Sequence, residues 1–353
     1  MKIALVTDQH FGVRNDNTKF LDYFEKFYSN IFFPKLKEEG IDTIIDLGDS
    51  FDRRKFINYY SLERSYNMFY DIIKANNMKM YSLVGNHNDY FKNTNDTNSV
   101  DLLLSRYDNI VCVNEPITQD FDGLDIVLLP WINSSNRDAS IEYIKTSKAQ
   151  ALFGHLELQG FEMYRGAIND HGDDPNLFNK FDIVCSGHFH HKSTRGNINY
   201  LGSPYEMTWS DFNDPKGFHI FDTATRELTF VQNPYTMFNK VWYDDTDASV
   251  ADIVDEDFSN LSGTFVKVIV KNKTNPYWFD MFIDRIEKAD VSHLQVVEDH
   301  LNLDLEDDED LVNEAEDTLT ILKKYVDQLD IKADKVLVDQ LVRDLYSEAL
   351  SVS

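Results

Sequence analysis

A chain of 353 residues with 42% apolar and 13% aromatic side chains can bury a real core, which excludes disorder as its main character. Its 34 basic against 61 acidic residues leave a net charge of −27, which argues against a bare nucleic-acid sleeve or a binder of anionic membranes, since both need surplus positive charge. Only Cys112 and Cys185 are present, so a disulfide framework and a four-cysteine zinc module are excluded.

The length predicts one large domain with one or two small additions. The apolar run at the N-terminus is too short for a signal sequence. No later run approaches the roughly 18–20 residues that span a bilayer, so a soluble, intracellular, cytoplasmic protein is expected.

Over the first 230 residues one pattern recurs: a short apolar run, a polar segment rich in Asp, Asn, His and Gly, then helical spacing. The runs at 2–7, 43–47, 78–84, 126–129, 149–153 and 182–185 suit strands buried on both faces. Segments 19–37 and 61–75 carry apolar residues at helical spacing, and the alternation predicts an α/β or α+β layered domain. Segments 198–201, 217–222 and 227–232 read as hairpin strands. After Pro234 come strands at 238–243 and 264–270, a linker at 244–257 with seven acids and no base, and a helix at 277–288, together predicting a small α+β domain.

Residues 301–353 hold fifteen acids and five bases. Val312, Ala315, Leu319, Leu322, Val326 and Leu329 recur at steps of 3 and 4, as do Val338, Val342, Leu345 and Ala349. These stripes predict two amphipathic helices joined near 330–334. They either dock on the rest of the chain or receive a partner, and an acidic terminal unit with an apolar seam favours the partner. Val312, Leu319, Leu322, Val326, Leu341 and Leu345 are the candidate contact residues.

Every strand-like run but 126–129 ends in potential metal ligands. Asp8 and His10 lie two apart, so a continuing strand would turn both to one face. Alone, such a pair is common in solvated loops. Next come Gly48-Asp49-Ser50-Phe51-Asp52-Arg53, Gly85-Asn86-His87-Asn88, Gly154-His155 and Gly187-His188-Phe189-His190. A glycine directly before the ligand lets the chain turn sharply off a buried strand. Five sets in chain order at carboxyl ends of strands, where sheet proteins place their ligand sites, are hard to attribute to loop composition.

The series resembles the calcineurin-like metallophosphoesterase superfamily, whose blocks are D-x-H, G-D-x-x-D, G-N-H-[DE], G-H and G-H-x-H. Within it the chain is similar to SbcD-type, or meiotic-recombination-11-type, DNA repair nucleases, and most narrowly to their phage branch, the small subunits of phage recombination endonucleases. The superfamily blocks cover 1–232, and Leu201-Gly202-Ser203-Pro204-Tyr205 with the later segments extends the likeness to nearly the whole chain. The resemblance implies an α+β fold: a four-layer α/β/β/α sandwich over 1–232, a small α+β capping domain over 233–300 and a helical hairpin over 301–353. Asn88 departs from the pattern, which has an acid there, and is not expected to ligate.

Carried over by position, the resemblance implies one metal on Asp8, His10, Asp49 and His190 and another on Asp49, Asn86, His155 and His188. Asp49 is suited to bridge, having two oxygens. Imidazole, amide and carboxylate donors without thiolate suit ions such as Mn²⁺, and the family implies two Mn²⁺ with Mg²⁺ a poorer substitute. Such a pair activates water and clamps a phosphoryl group for in-line attack. His87, the histidine of the blocks without a metal, is the candidate general acid, with Asp52 expected to hydrogen-bond it and hold it as imidazolium. His191 reads as a surface or supporting residue, and His171, His219, His293 and His300 as solvated.

Arg53, Arg54 and Lys55, with Lys192 and Arg195, are candidate phosphate contacts. A chain at −27 binds DNA poorly unaided, so the partner, by resemblance an SbcC-type coiled-coil ATPase held by the C-terminal helices, is expected to supply duplex affinity. The implied activity is Mn²⁺-dependent 3′→5′ exonuclease on duplex ends with single-strand endonuclease, in a dimer formed through helices near the site; 61–75 and 100–107 are the candidates, and their apolar faces read equally well as core. The rivals are a phosphoprotein phosphatase or cyclic-nucleotide phosphodiesterase, which the Gly48–Arg53 block echoes, and a non-catalytic scaffold. The double-histidine block and added C-terminal units argue against the first. The complete ligand set argues against the second.

Overall fold

The computed structural model describes residues 1–164 and 166–298, with Val338 and Leu341. The two-helix expectation for 301–353, and with it Val312, Leu319, Leu322, Val326 and Leu345, lies outside the described residues. Leu341 is described, and exposed.

Two six-stranded sheets form the centre of the fold. In the first, Lys2–Val6, Thr43–Asp46, Lys79–Leu83 and Ile110–Val113 run parallel. Gly217–Asp222 and Leu228–Gln232 extend it antiparallel beyond Lys2–Val6. In the second, Ile198–Tyr200, Ile183–Gly187, Ala151–His155 and Leu124–Leu129 run parallel between the antiparallel edges Ser193–Arg195 and Ile117–Phe121.

The sheets share one apolar core. Leu5, Ile45 and Leu83 of the first meet Leu128, Phe153 and Cys185 of the second. Strand side chains alternate, so Val127 and Leu129, flanking Leu128, point to the opposite face, where they pack with Ile144 of helix Arg137–Thr146. Phe218 likewise leaves the central core and meets Phe27 and Phe32 of the helices over the first sheet. The result is a four-layer α/β/β/α sandwich.

Segment 19–37 is not one regular helix. Thr18–Phe27 passes through a π-helical turn, Tyr28–Phe32, into Phe33–Glu39. Pro34 cannot donate the regular backbone bond, and a π turn re-spaces the ladder around it. Segment 61–75 divides the same way, as Tyr59–Ser65, Tyr66–Tyr70 and Asp71–Ala75. Ile110–Val113, Ile117–Phe121 and helix Arg137–Thr146 had no counterpart in the sequence reading. The first has four residues, the second is a polar edge strand, and the helix buries only Ser140 and Ile144. Their apolar periodicity is correspondingly faint.

Beyond Pro234, Phe238–Asp244, Phe265–Asn272 and His293–Glu298 form a parallel three-stranded sheet. Helix Pro276–Lys288 covers it, and Val266, Val268, Phe282 and Ile286 form its core. The supposed linker 244–257 contains helix Val250–Asp255, started by a capping box between Ser249 and Asp252. Its acids masked the helix signal.

A buried ion triad fastens the chain below the sandwich edge. Lys216 lies 2.6 Å from Asp211 and 2.9 Å from Asp214, and donates to the His190 carbonyl at 2.8 Å. Burial alone would depress this ammonium, but the two carboxylates outweigh it and raise its pKa. Removing one partner of a buried ion cluster strands the others. Lys216→Met is therefore expected to cost about 3–5 kcal/mol of unfolding free energy in a urea titration followed by fluorescence, and an unchanged midpoint would show that the triad contributes nothing.

Candidate metal centre

Parallel pairing brings the carboxyl ends of Lys2–Val6, Thr43–Asp46 and Lys79–Leu83 together, and those of Ala151–His155 and Ile183–Gly187. The first strand ends at Val6, so strand pleating is not what turns Asp8 and His10 the same way. Both take left-handed backbone conformations (φ 53° and 45°), as do Asp49 (φ 54°) and His188 (φ 85°). Such conformations cost about 1–3 kcal/mol each and persist only where the surroundings enforce them.

The enforcing contacts are visible. Asp8 N donates to Gly48 O, His10 N to Asp49 O and Phe11 N to Ser50 O, each at 2.9 Å, which joins the first two ligand loops. Gln9, between the ligands, is fully buried. Its side chain donates to Asp46 and accepts from the Tyr28 hydroxyl, while its carbonyl accepts from the Tyr205 hydroxyl at 2.7 Å. Asp46 also accepts from Ser50 Oγ at 2.6 Å and Gly48 N at 3.2 Å, so one buried carboxyl holds both loops. Three glycines are sterically required. A Cβ on Gly48 (φ 110°) would come within 2.6 Å of His155 Nδ1, one on Gly85 would overlap the Asp49 carboxylate, and one on Gly187 would run into Thr7 Oγ1.

These loops bring all seven expected ligands into two adjoining groups. Asp8, His10 and His190 form one, and Asp49, His155 and His188 the other, with ligand atoms within 4.8 Å of one another in each. Asp49 Oδ2 lies 3.3 Å from His155 Nε2 and 3.9 Å from His10 Nε2, between the groups. Asn86 Oδ1 lies 2.9 Å from both His155 Nε2 and His188 Nδ1. His10 Nε2 and His190 Nε2 face each other at 3.1 Å.

The donor set fits divalent cations. Leu47 O can only accept, so at 2.8 Å it places a proton on His155 Nδ1 and turns the Nε2 lone pair toward Asp49 and Asn86. A lone pair facing two acceptors needs a positive charge between them. A proton fills that need when no cation does: burial would lower His155, but the Asp49 charge and hydrogen bond outweigh it and lift its pKa to about 9. Burial likewise opposes ionisation of Asp49, yet the charges of His155 and His87 hold it well below the usual carboxylate range. Burial and the neighbouring His155 push His188 down to about 3. Burial, with His10 and Lys216, lowers His190 too. Both are neutral at pH 7, the form in which imidazole ligates.

His87 is in neither of these two groups, but with Asp52 it forms a third around His10, again with ligand atoms within 4.8 Å of one another. Its Nδ1 is 2.6 Å from the Asp52 carbonyl, its amide donates to Asp49 Oδ1 at 2.7 Å, and its ring meets His10 edge-on at 4.8 Å. The expected Asp52 contact is thus corrected in kind. The main-chain carbonyl holds His87, while the carboxylate lies 3.3 Å from His10 Nδ1. Asn88 does what an acid there would do as an acceptor: its Oδ1 takes hydrogen bonds from Gly85 N at 2.8 Å and Asp49 N at 2.9 Å.

The candidate phosphate contacts are dispersed. Arg53 pairs with Asp16 at 3.2 Å and lies over Phe56. Arg54 and Lys55 line a recess with Phe56 and Tyr90, Lys192 lies over Phe230, and Arg195 lines a separate recess with Asn169 and Asp174. His191 is 2.9 Å from Asp214 and 3.4 Å from Glu162, a supporting position. His171 and His293 are exposed as expected and His300 lies outside the described residues. His219 is not solvated. It is buried in Gly217–Asp222, and burial pushes it down to about 3.

Three participants escaped the sequence reading. Gln9 and Lys216 belong to no motif of the sequence. Trp131, two residues past strand Leu124–Leu129, sets its ring 5.0 Å from His188 and 5.9 Å from His155. An isolated tryptophan after a buried strand was its only signal.

A model of the calcineurin-like phosphoesterase family matches residues 1–192. The chain is 34% identical to Exonuclease subunit 1 of Enterobacteria phage T4 over 355 aligned positions, covering 99% of each protein. It is 23% identical to the SbcD subunit of the nuclease SbcCD from Staphylococcus epidermidis, covering 83% of this chain and 80% of that protein. To the protein of the same name in Staphylococcus saprophyticus it is 37% identical over 97 residues, 25% of each. With its sandwich and its ligand-bearing strand ends, the chain belongs to the calcineurin-like phosphoesterase family.

Proposed function

We propose that this chain is the nuclease subunit of a double-strand-break repair and recombination complex, hydrolysing DNA phosphodiesters with two Mn²⁺. The reading rests on one observation above all: seven donors from five separate strand ends meet in two groups that share Asp49. The relatives named as exonuclease and nuclease subunits support nucleic acid over a phosphoprotein as substrate. When bound, the cations would supply Lewis acidity and an activated water for in-line attack.

The protein's own groups do the rest. Asp8, His10 and His190 would hold one cation, Asn86, His155 and His188 the other, and Asp49, which lies between the two groups, would serve both. Asp52 O keeps a proton on His87 Nδ1, so the second proton of the imidazolium, on Nε2, is the one given to the departing sugar oxygen, which leaves the ring neutral. Arg53, Arg54 and Lys55 guide backbone phosphates, with Lys192 and Arg195 as further contacts. The activity is 3′→5′ exonuclease on duplex ends with single-strand endonuclease.

We further assign three parts: 1–232 to chemistry, 233–300 to the cap and 301–353 to an SbcC-type ATPase. Exposed Tyr59 and Leu102, on the helices expected to dimerise, form the surface for a second copy. The same relatives support action in the cytoplasm, and among the described residues no helix is long and apolar enough to cross a membrane.

Three measurements test this reading. Asp49→Asn should lower the Mn²⁺ stoichiometry in calorimetry from two, since the shared ligand loses its charge. His87→Gln should keep both ions yet lose about 10²–10⁴-fold in strand cleavage, the usual contribution of a general acid. Normal loading with intact cleavage would sink the assignment. Deleting 301–353 should abolish co-purification with the ATPase but spare Mn²⁺-dependent cleavage of short single strands; a complex that survives the deletion refutes the partner assignment.

A further inference from the structure

A recess of about 280 Å³ opens directly beside His155. Trp131, Ile132, Arg137, Glu157 and Asp173 line it along with that ligand. Trp131 is half-buried, and its backbone is fixed from two sides. Its amide donates to Val84 O at 2.8 Å, on the segment that delivers Asn86. Its carbonyl accepts from Asn136 Nδ2 at 3.0 Å and Asn95 Nδ2 at 3.2 Å. The backbone that carries the indole is therefore held before any ligand arrives, and the ring rests 5.0 Å from His188 and 5.9 Å from His155.

The wall chemistry narrows the occupant. Arg137 is already paired with Asp173, so its guanidinium charge is met within the wall, and Glu157 adds a further carboxylate. A phosphate is poorly served by such a wall. A neutral, flat group rich in hydrogen-bond donors and acceptors is not: it can lie against the indole, donate exocyclic amines to Glu157 and meet the Arg137 guanidinium edge. Stacking also suits a chain at −27, because its strength does not depend on attracting the anionic backbone.

We propose that this recess is a nucleobase subsite, in which Trp131 stacks on the base adjoining the phosphodiester held at the metal centre. The proposal rests on the nuclease reading and adds the group recognised. Trp131 is the specificity-determining residue of that reaction, and Glu157 and Arg137 address the edge of the same base.

The full-length protein, with Mn²⁺, is assayed on short single-stranded oligonucleotides identical except for one abasic site walked along the strand. The wild type should lose about 5- to 100-fold in kcat/KM at one position flanking the cut, the effect of one lost stacking contact. Trp131→Ala should show that loss on the intact strand and no further loss at that abasic position. Trp131→Phe should recover most of it, with Mn²⁺ binding by calorimetry equal in all three. Uniform cleavage of every abasic strand by the wild type would overturn the subsite while leaving the nuclease reading standing. Weakened Mn²⁺ binding in Trp131→Ala that Trp131→Phe does not restore would overturn it in favour of a wall that positions His188. Cleavage of no strand at all would bring down the nuclease reading, and this subsite with it.

Discussion

The arrangement depends on a single carboxylate, Asp49, kept ionised where burial opposes ionisation. It occupies a left-handed backbone position on a loop fixed by Asp46 and by the Gly48 and Asp49 carbonyls' bonds to the first ligand loop. Around it, His10, His155 and the His87 amide all approach within 4 Å. A buried anion with so many donors around it is a place prepared for positive charge, and the orientation of His155 by Leu47 O shows how the fold aims lone pairs at that place.

The two sheets make this possible by different contributions. The first supplies the carboxylates, an amide and one imidazole; the second supplies the remaining three imidazoles. Neither sheet edge alone holds a complete set. The shared core of Leu5, Ile45, Leu128 and Phe153 is thus also the element that sets the spacing between the two half-sites. The segment 201–205 closes the assembly: Ser203 N bonds to His190 O at 3.1 Å, and Tyr205 reaches Gln9 O while stacking on Phe24 at 3.6 Å. Lys216 adds a third hold on the His190 loop. Strain at four ligands is offset by this dense support, the arrangement expected where a fold keeps a site ready before its ligand binds.

Charge is unevenly used. The chain carries −27 overall, and the guanidinium of Arg53 is paired with Asp16. A protein of that charge gains little from general electrostatic attraction to a polyanion.

Much of this was legible in the residues. Apolar runs of four to seven residues predict buried strands because a sheet covered on both faces needs them, and a glycine before four of the five ligand sets predicts a sharp exit from the strand. The resemblance to the phosphoesterase blocks then names the candidate ligands. What only the tertiary structure decided lies in long-range contacts. Asp8 and His10 converge through left-handed loop geometry held by Gln9, Tyr28 and Tyr205, not through strand pleating. Asp52 serves His87 by its carbonyl because its carboxylate is taken up with His10. His219 is buried because strand Gly217–Asp222 was drawn into the first sheet beside Lys2–Val6. Periodicity and spacing record which face a residue prefers; they carry no information about which distant group will meet it, and hydrogen-bond partners, pKa shifts and the wall beside His155 are all set by that meeting.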